Sequence, residues 1–215
     1  MPEDLDLATA YQLQHIVSQY RSPNGVSGIK AGVTAKPVQK HFGLDGALLA
    51  SLYDDAMLAS GKELEYVEGR LLESEVALQI DLNSGDPIAI APAFEIVAVR
   101  FASPEQMSAA NLVACNLGAD RYVVGEFIPW QAEYNDIALT LKRDGEVVNQ
   151  TVIGDALDGP LPGAKWLVTE ARRRGFTLDK TFTYMMGACG TTLPLEVGQY
   201  EADYGALGSL SLQVR

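Results

Sequence analysis

Leu71-Leu72-Glu73-Ser74-Glu75-Val76-Ala77-Leu78-Gln79-Ile80-Asp81-Leu82 and, a short way on, Ile88-Ala89-Ile90-Ala91-Pro92-Ala93-Phe94-Glu95-Ile96-Val97-Ala98-Val99 are the stretches whose alternation decides the fold. Successive side chains on a strand point to opposite faces, so Glu73 and Glu75 project together while Leu72, Ser74 and Val76 face the other way. Both stretches predict strands, and the same two-residue period recurs over Arg121 to Phe127, Asp136 to Lys142, Glu146 to Ile153 and Leu207 to Val214. Asp144-Gly145 is a hairpin turn between two of these strands.

Three helices interrupt the strand pattern. Leu13, Ile16, Val17 and Tyr20 recur at helical spacing within residues 5–20, and Arg21-Ser22-Pro23-Asn24-Gly25 stops them with turn residues, which reads as an amphipathic opening helix. Ser103 as N-cap, Pro104 at the first position and Gln106 announce a second, running through Met107, Ala110, Val113, Ala114 and Leu117 to Gly118. A third is expected from about Ala164 to Arg174 before Gly175, with Arg172 to Arg174 at the end where the helix dipole favours cations. The pattern as a whole predicts one α+β domain, residues 1–215, with a large antiparallel or mixed sheet and residues 1–25 as a helical extension.

The chain has 215 residues, 47% hydrophobic and 20% charged, which places it among folded globular proteins. Sixteen basic against 28 acidic residues give a net charge of −12, the wrong sign for coating nucleic acid or an anionic membrane. The start, MPEDLDLATAYQ, is acidic where a signal peptide is basic and then apolar, and no stretch reaches the roughly 18 apolar residues of a membrane span, so a cytoplasmic location is expected. Two cysteines, Cys115 and Cys189, make no disulfide framework, and the isolated His15 and His41 offer no zinc spacing. Neither phosphate-binding glycine motif is present.

Carboxylates are the chemistry that stands out. Glu73 and Glu75 on one strand face repel each other unless a cation lies between them, and oxygen ligands suit magnesium, manganese or calcium; a solvated strand face is the alternative reading. Glu95 is the one ionisable residue in an apolar run, so it is expected to be buried against Arg100, another cation, or a metal shared with Glu73 and Glu75. Lys30, in Gly28-Ile29-Lys30-Ala31-Gly32-Val33-Thr34, is placed to orient an anionic substrate or move a proton, or simply faces solvent. Asp54-Asp55 read as a helix cap or as metal ligands, His15 and His41 as structural or solvated, and Cys189 lacks the basic partner a nucleophile needs.

These segments together resemble the 2-keto-4-pentenoate hydratase family of the fumarylacetoacetate hydrolase superfamily, which also contains 4-oxalocrotonate decarboxylase. The resemblance rests on Gly28 to Thr34, Tyr53-Asp54-Asp55-Ala56-Met57, Glu73-Ser74-Glu75, Ala91-Pro92-Ala93-Phe94-Glu95-Ile96 and Trp166-Leu167. Its most specific part is the tail, Leu193-Pro194-Leu195-Glu196-Val197-Gly198 and Ala202-Asp203-Tyr204-Gly205-Ala206-Leu207-Gly208-Ser209-Leu210-Ser211. It implies a mixed sheet rolled into a barrel-like core with a few flanking helices, and a Mg2+ or Mn2+ ion held by Glu73, Glu75 and Glu95. It implies Lys30 as the active-site lysine; Arg100, near Glu95 in the sequence, is from the residues alone a weaker candidate for substrate contact. The implied reaction is hydration of a 2-hydroxy-2,4-dienoate or 2-oxo-enoate from aromatic ring breakdown, with decarboxylation, C–C cleavage or a non-catalytic assembly role as alternatives. A homo-oligomer and a pathway decarboxylase are the implied protein partners. Three departures from the family pattern stand out: Gly46 to Ser51 replaces a segment that carries an aspartate, Met186-Gly187-Ala188 replaces Thr-Gly-Ser, and Ala98 stands where an acid is frequent.

Overall fold

The computed structural model describes residues 5–23 and 25–215, so the first four residues and Asn24, which the sequence reading had included in its opening segment, lie outside the description. The elements in chain order are α1 (Leu7–Arg21), β1 (Gly28–Gly32), α2 (Lys36–His41), β2 (Leu48–Leu52), β3 (Met57–Leu58), β4 (Glu63–Leu64), β5 (Arg70–Ile80) and β6 (Pro87–Ala98). They continue with α3 (Ala109–Ala114), β7 (Ala119–Val124), β8 (Ile128–Pro129), β9 (Ala138–Arg143), β10 (Glu146–Val152), α4 (Pro160–Arg173), β11 (Thr183–Met185), β12 (Leu193–Pro194), β13 (Gly198–Asp203) and β14 (Ser209–Val214).

The strands form two sheets rather than the single one expected. The larger, nine-stranded, runs β2-β1-β11-β5-β6-β7-β3, with β12 added to β5 and β8 to β6. The smaller runs β10-β9-β13-β14-β4. Both are mixed: β1–β11, β3–β7 and β4–β14 are parallel pairs among antiparallel ones. The larger sheet curls into a half-barrel around Leu52, Ala77, Ala91, Ala93, Tyr122 and Met185, contributed by five of its strands. Ser27, just before β1, bonds the Tyr122 hydroxyl of β7 at 3.0 Å and so ties the two limbs of the curl together. Small side chains explain the tightness of the curl, because alanines at Ala77, Ala91 and Ala93 let the opposite wall come close.

The other face of β5 and β6 packs on the main core, which continues into the second sheet and the helices. Tyr204, from the most specific part of the tail motif, is fully buried there and donates its hydroxyl to the Ala93 carbonyl at 2.7 Å. The tail's contribution is therefore to brace the central strands from behind. Asp144-Gly145 turns β9 into β10 with both residues at positive φ, 51° and 85°, as the hairpin reading expected.

Two helices differ from expectation. Leu13, Ile16, Val17 and Tyr20 face outward, Tyr20 being 93% exposed, while Ala10, Tyr11, Gln14 and Ser18 are buried. The reason is that α1 lies along β2, the sheet's edge strand, whose backbone needs partners when covered. The Leu49 amide donates to the Tyr11 hydroxyl at 2.9 Å, and Gln14 donates to the Leu49 and Val113 carbonyls at 3.0 and 2.9 Å. The expected long helix from Ser103 is broken in two: Pro104–Gln106 is one 3-10 turn, and α3 starts only after Ser108, whose hydroxyl accepts from the Asn111 amide. It ends because Asn116, Leu117 and Gly118 all take left-handed φ values of 57°, 50° and 67°. Helix α4 begins earlier than expected, with Pro160 at its first position after Gly159. No helix among the described residues is long and apolar enough to cross a membrane.

Candidate metal and proton-transfer site

Strand pairing builds the site. Glu73 of β5 lies directly opposite Glu95 of β6, and Glu75, two residues along on the same face, lies opposite Ala93. One carboxylate oxygen from each of Glu73, Glu75 and Glu95 falls within 4.8 Å of the other two. Lys30 of β1 reaches the same point, its Nζ 2.8 Å from Glu95 Oε1 and 3.3 Å from the Leu117 carbonyl. Lys30 and Glu95 are almost wholly removed from solvent, with side chains 2% and 1% exposed; Glu75 is buried and Glu73 half-buried. The group therefore opens toward Glu73 and is backed by the apolar interior of the half-barrel.

Neighbouring donors hold two of the carboxylates. The Gly187 amide donates to Glu75 Oε2 at 2.8 Å and the Thr192 hydroxyl to Glu73 Oε1 at 2.9 Å. That leaves Glu75 Oε1 and Glu95 Oε2 buried without a hydrogen-bond donor. Glu95 Oε1 is met by the Lys30 ammonium. Fully ionised, three carboxylates and one ammonium carry a net charge of −2 inside the protein. Burial pushes the Glu95 carboxyl up to about 7, against the pull of Lys30 and with Glu73 adding to the rise. Burial, then Glu95 and Glu73, raise Glu75 well above the usual carboxylate range. Burial draws Lys30 down, but Glu95, Glu73 and Glu75 together outweigh it and keep its proton on more firmly than usual.

This arrangement fits a divalent cation. Orphaned buried carboxylate oxygens cost free energy unless something positive meets them, and hard oxygen donors converging from three side chains suit Mg2+, Mn2+ or Ca2+. Two added positive charges would also bring the net charge of the group to zero.

The remaining sequence candidates lie elsewhere. Arg100 is not at the site: it is exposed two residues beyond the end of β6, its guanidinium donates to the Glu68 carbonyl, and the cation beside Glu95 is Lys30. Asp54 and Asp55 sit exposed on a 3-10 turn, capping nothing with their side chains, and Asp55 pairs with Arg21 at 3.2 Å. His15 packs edge-on to Phe176 and bonds the Arg174 carbonyl, and His41 is exposed. Cys189 is fully buried, which pushes its thiol far up and away from nucleophile use. At the end of α4, Arg173 bonds Glu170 through two nitrogens and Arg174 through one. The Gly46 to Ser51 segment feeds the fully buried β2, and Met186 is buried, so the polar group that this loop offers the carboxylates is the Gly187 amide.

Supporting residues were missed by sequence reading. Asn116 clamps the left-handed turn to β2, accepting from the Ser51 amide at 2.8 Å and donating to the Ser51 carbonyl at 2.9 Å, and so aims the Leu117 carbonyl at Lys30. Thr192 and Asn116 are distant from the acids in sequence, and the helix expected to run through Leu117 to Gly118 ends at Ala114, before Asn116.

No family model matches the chain. It is 32% identical to a 2-keto-4-pentenoate hydratase of Burkholderia vietnamiensis across 95% of its own length and 85% of that protein's. Its fold superposes on 4-oxalocrotonate decarboxylase from Pseudomonas putida G7, a structure complexed with magnesium and adipate, with a TM-score of 0.88 at 18% identity, covering 99% of this chain and 87% of the other. Fumarylpyruvate hydrolase from Pseudomonas aeruginosa, in complex with Mn2+ and pyruvate, matches with a TM-score of 0.62 at 17% identity over 86% of this chain and 88% of that one.

Proposed function

The chain belongs to the 2-keto-4-pentenoate hydratase family, and from that premise we propose that it is a divalent-metal-dependent lyase that adds water to a 2-hydroxy-2,4-dienoate or 2-oxo-enoate. The observation that carries this reading is the meeting of Glu73, Glu75 and Glu95 around buried, unpaired oxygens with Lys30 alongside. Glu73, Glu75 and Glu95 are the ligands in this account, and Mg2+ or Mn2+ the ion. When bound, the ion supplies the positive charge that holds the carboxylate and 2-oxygen of an oxo acid and draws electron density toward that oxygen.

The chain's own groups do the rest. The Gly187 amide and Thr192 hydroxyl fix Glu75 and Glu73, so the ligand oxygens do not reorganise when substrate arrives. Lys30 holds its proton at Nζ, fixed between Glu95 and the Leu117 carbonyl, where it can pass to the substrate carbon chain as water oxygen bonds to the distal double bond, the proton that the water gives up returning to Nζ. The alanine-lined interior excludes bulk water behind the carboxylates and strengthens each charge interaction.

The test is loss of dienoate absorbance in an ultraviolet assay with metal-loaded protein, together with identification of the product. A hydroxylated oxo acid supports hydration, and no consumption of any such dienoate overturns it. The close superposition on a decarboxylase favours loss of CO2 as the second reading, which the same product analysis separates.

A further inference from the structure

Three residues after Lys30, the chain leaves β1 through Val33, the one β-branched residue at positive φ (57°) among those described. A branched side chain is disfavoured there, so the conformation persists only where something outside holds it. Gln39 is that restraint. It is the one buried residue of α2, 4% exposed, and its Nε2 donates to both the Val33 and the Thr34 carbonyls at 3.0 Å each. Both amide hydrogens are thus used, and the opposite orientation would set an oxygen against two carbonyl oxygens.

What the restrained segment touches gives the restraint a purpose. The Thr34 side chain packs onto Gly187 so closely that a Cβ at Gly187 would lie 2.5 Å from Thr34 Cγ2 and 3.0 Å from its Oγ1. Gly187 itself has a φ of 90°, and its amide donates to Glu75 Oε2. One side of the Gly187 peptide therefore leans on Thr34 while the other holds a carboxylate of the site.

We propose that Gln39 is a positioning residue for the metal site: by locking Val33 and Thr34 it buttresses Gly187 and keeps the Gly187 amide on Glu75. The inference rests on the reading of Glu75 as a ligand, but its first link, from Gln39 to the Gly187 amide, does not need an ion. Gln39→Met keeps the length and removes both donors. The Gly187 amide in Gln39→Met is expected to exchange its hydrogen at least tenfold faster than in wild type, measured by NMR on metal-free protein. The Mn2+ dissociation constant is expected to rise about tenfold, within the range that loss of a ligand-supporting contact typically produces. Adding Val33→Gly, which adopts positive φ freely, is expected to recover part of both changes.

A role confined to satisfying two carbonyls would lower the melting temperature and leave Gly187 exchange and Mn2+ affinity at their wild-type values, and that result overturns the proposal. Should Gln39→Met not fold, Thr34→Ala, at a half-buried position, breaks the same relay one contact later, and unchanged exchange at Gly187 again overturns it. Wild-type protein that binds no Mn2+ refutes the ligand reading of Glu75 alone, with the exchange comparison still deciding whether Gln39 governs Gly187.

Discussion

Replacing Lys30 with methionine separates the lysine's electrostatic work from its stem, which the methionine largely preserves. In the metal-free protein Lys30 is the cation in contact with Glu95, at 2.8 Å and with both side chains almost fully buried. Removing one member of a buried pair costs about 3–5 kcal/mol because the survivor is left uncompensated. Two features place this case at the low end: the ammonium no longer has to be desolvated, and Glu95 is already poised to take up a proton, its carboxyl standing at about 7. The expected loss is about 3 kcal/mol, or roughly 6–12 °C in melting temperature for a chain of this size. The assay is calorimetric unfolding with and without Mn2+. Because the variant leaves three carboxylates facing the ion with no competing cation, Mn2+ should raise its melting temperature by more than it raises that of the wild type, while turnover is lost. A metal-free variant melting within about 2 °C of wild type would refute the reasoning, since Lys30 would then not be what offsets these acids.

Glu75→Gln is expected to leave the metal-free protein as stable as wild type or more stable, since a buried carboxyl raised well above its usual range is a destabilising group; a lower melting temperature contradicts this. Thr192→Val removes the hydroxyl that Glu73 accepts from and should weaken Mn2+ binding about tenfold by titration calorimetry with the fold intact. Glu170→Gln should cost about 1–2 kcal/mol at pH 7 by denaturant unfolding, through loss of the fork with Arg173 and Arg174. Although burial opposes it, that fork holds the Glu170 carboxyl below its usual value. Its stabilisation is therefore full above the unfolded value of 4.5 and is lost as pH falls through the lower folded value, so the gap between the two proteins should close in acid.

The site was legible where its signal was local. Glu73 and Glu75 share a face because a strand alternates, and Glu95 declared itself as the lone charge in an apolar run, so pairing β5 with β6 was enough to bring the three together. Lys30 was visible as a candidate, but its partner was not, because Arg100 is the nearer cation in sequence and only the curl of the sheet brings β1 across to Glu95. Helix α1 was misread for the same kind of reason. Its apolar stripe suggested a core face, whereas the covered edge of β2 needed the hydroxyl of Tyr11 and the amide of Gln14. The strand Leu48–Leu52 was missed because a short, wholly buried apolar run has no alternation to show. Asn116 and Thr192 bond a backbone amide and a carboxylate far away in sequence, and Gln39 bonds two carbonyls across the turn before α2, relations that periodicity does not encode.

The central claim is that Glu73, Glu75 and Glu95 hold a divalent ion to which an oxo acid binds. Titration calorimetry of Mg2+ and Mn2+ into wild type and Glu75→Gln, each with and without a 2-oxo acid, tests it most directly. The account predicts one ion per chain, oxo-acid binding only when the ion is present, and loss of both in the variant. Absence of metal binding in the wild type, or oxo-acid binding that ignores the metal, would contradict it.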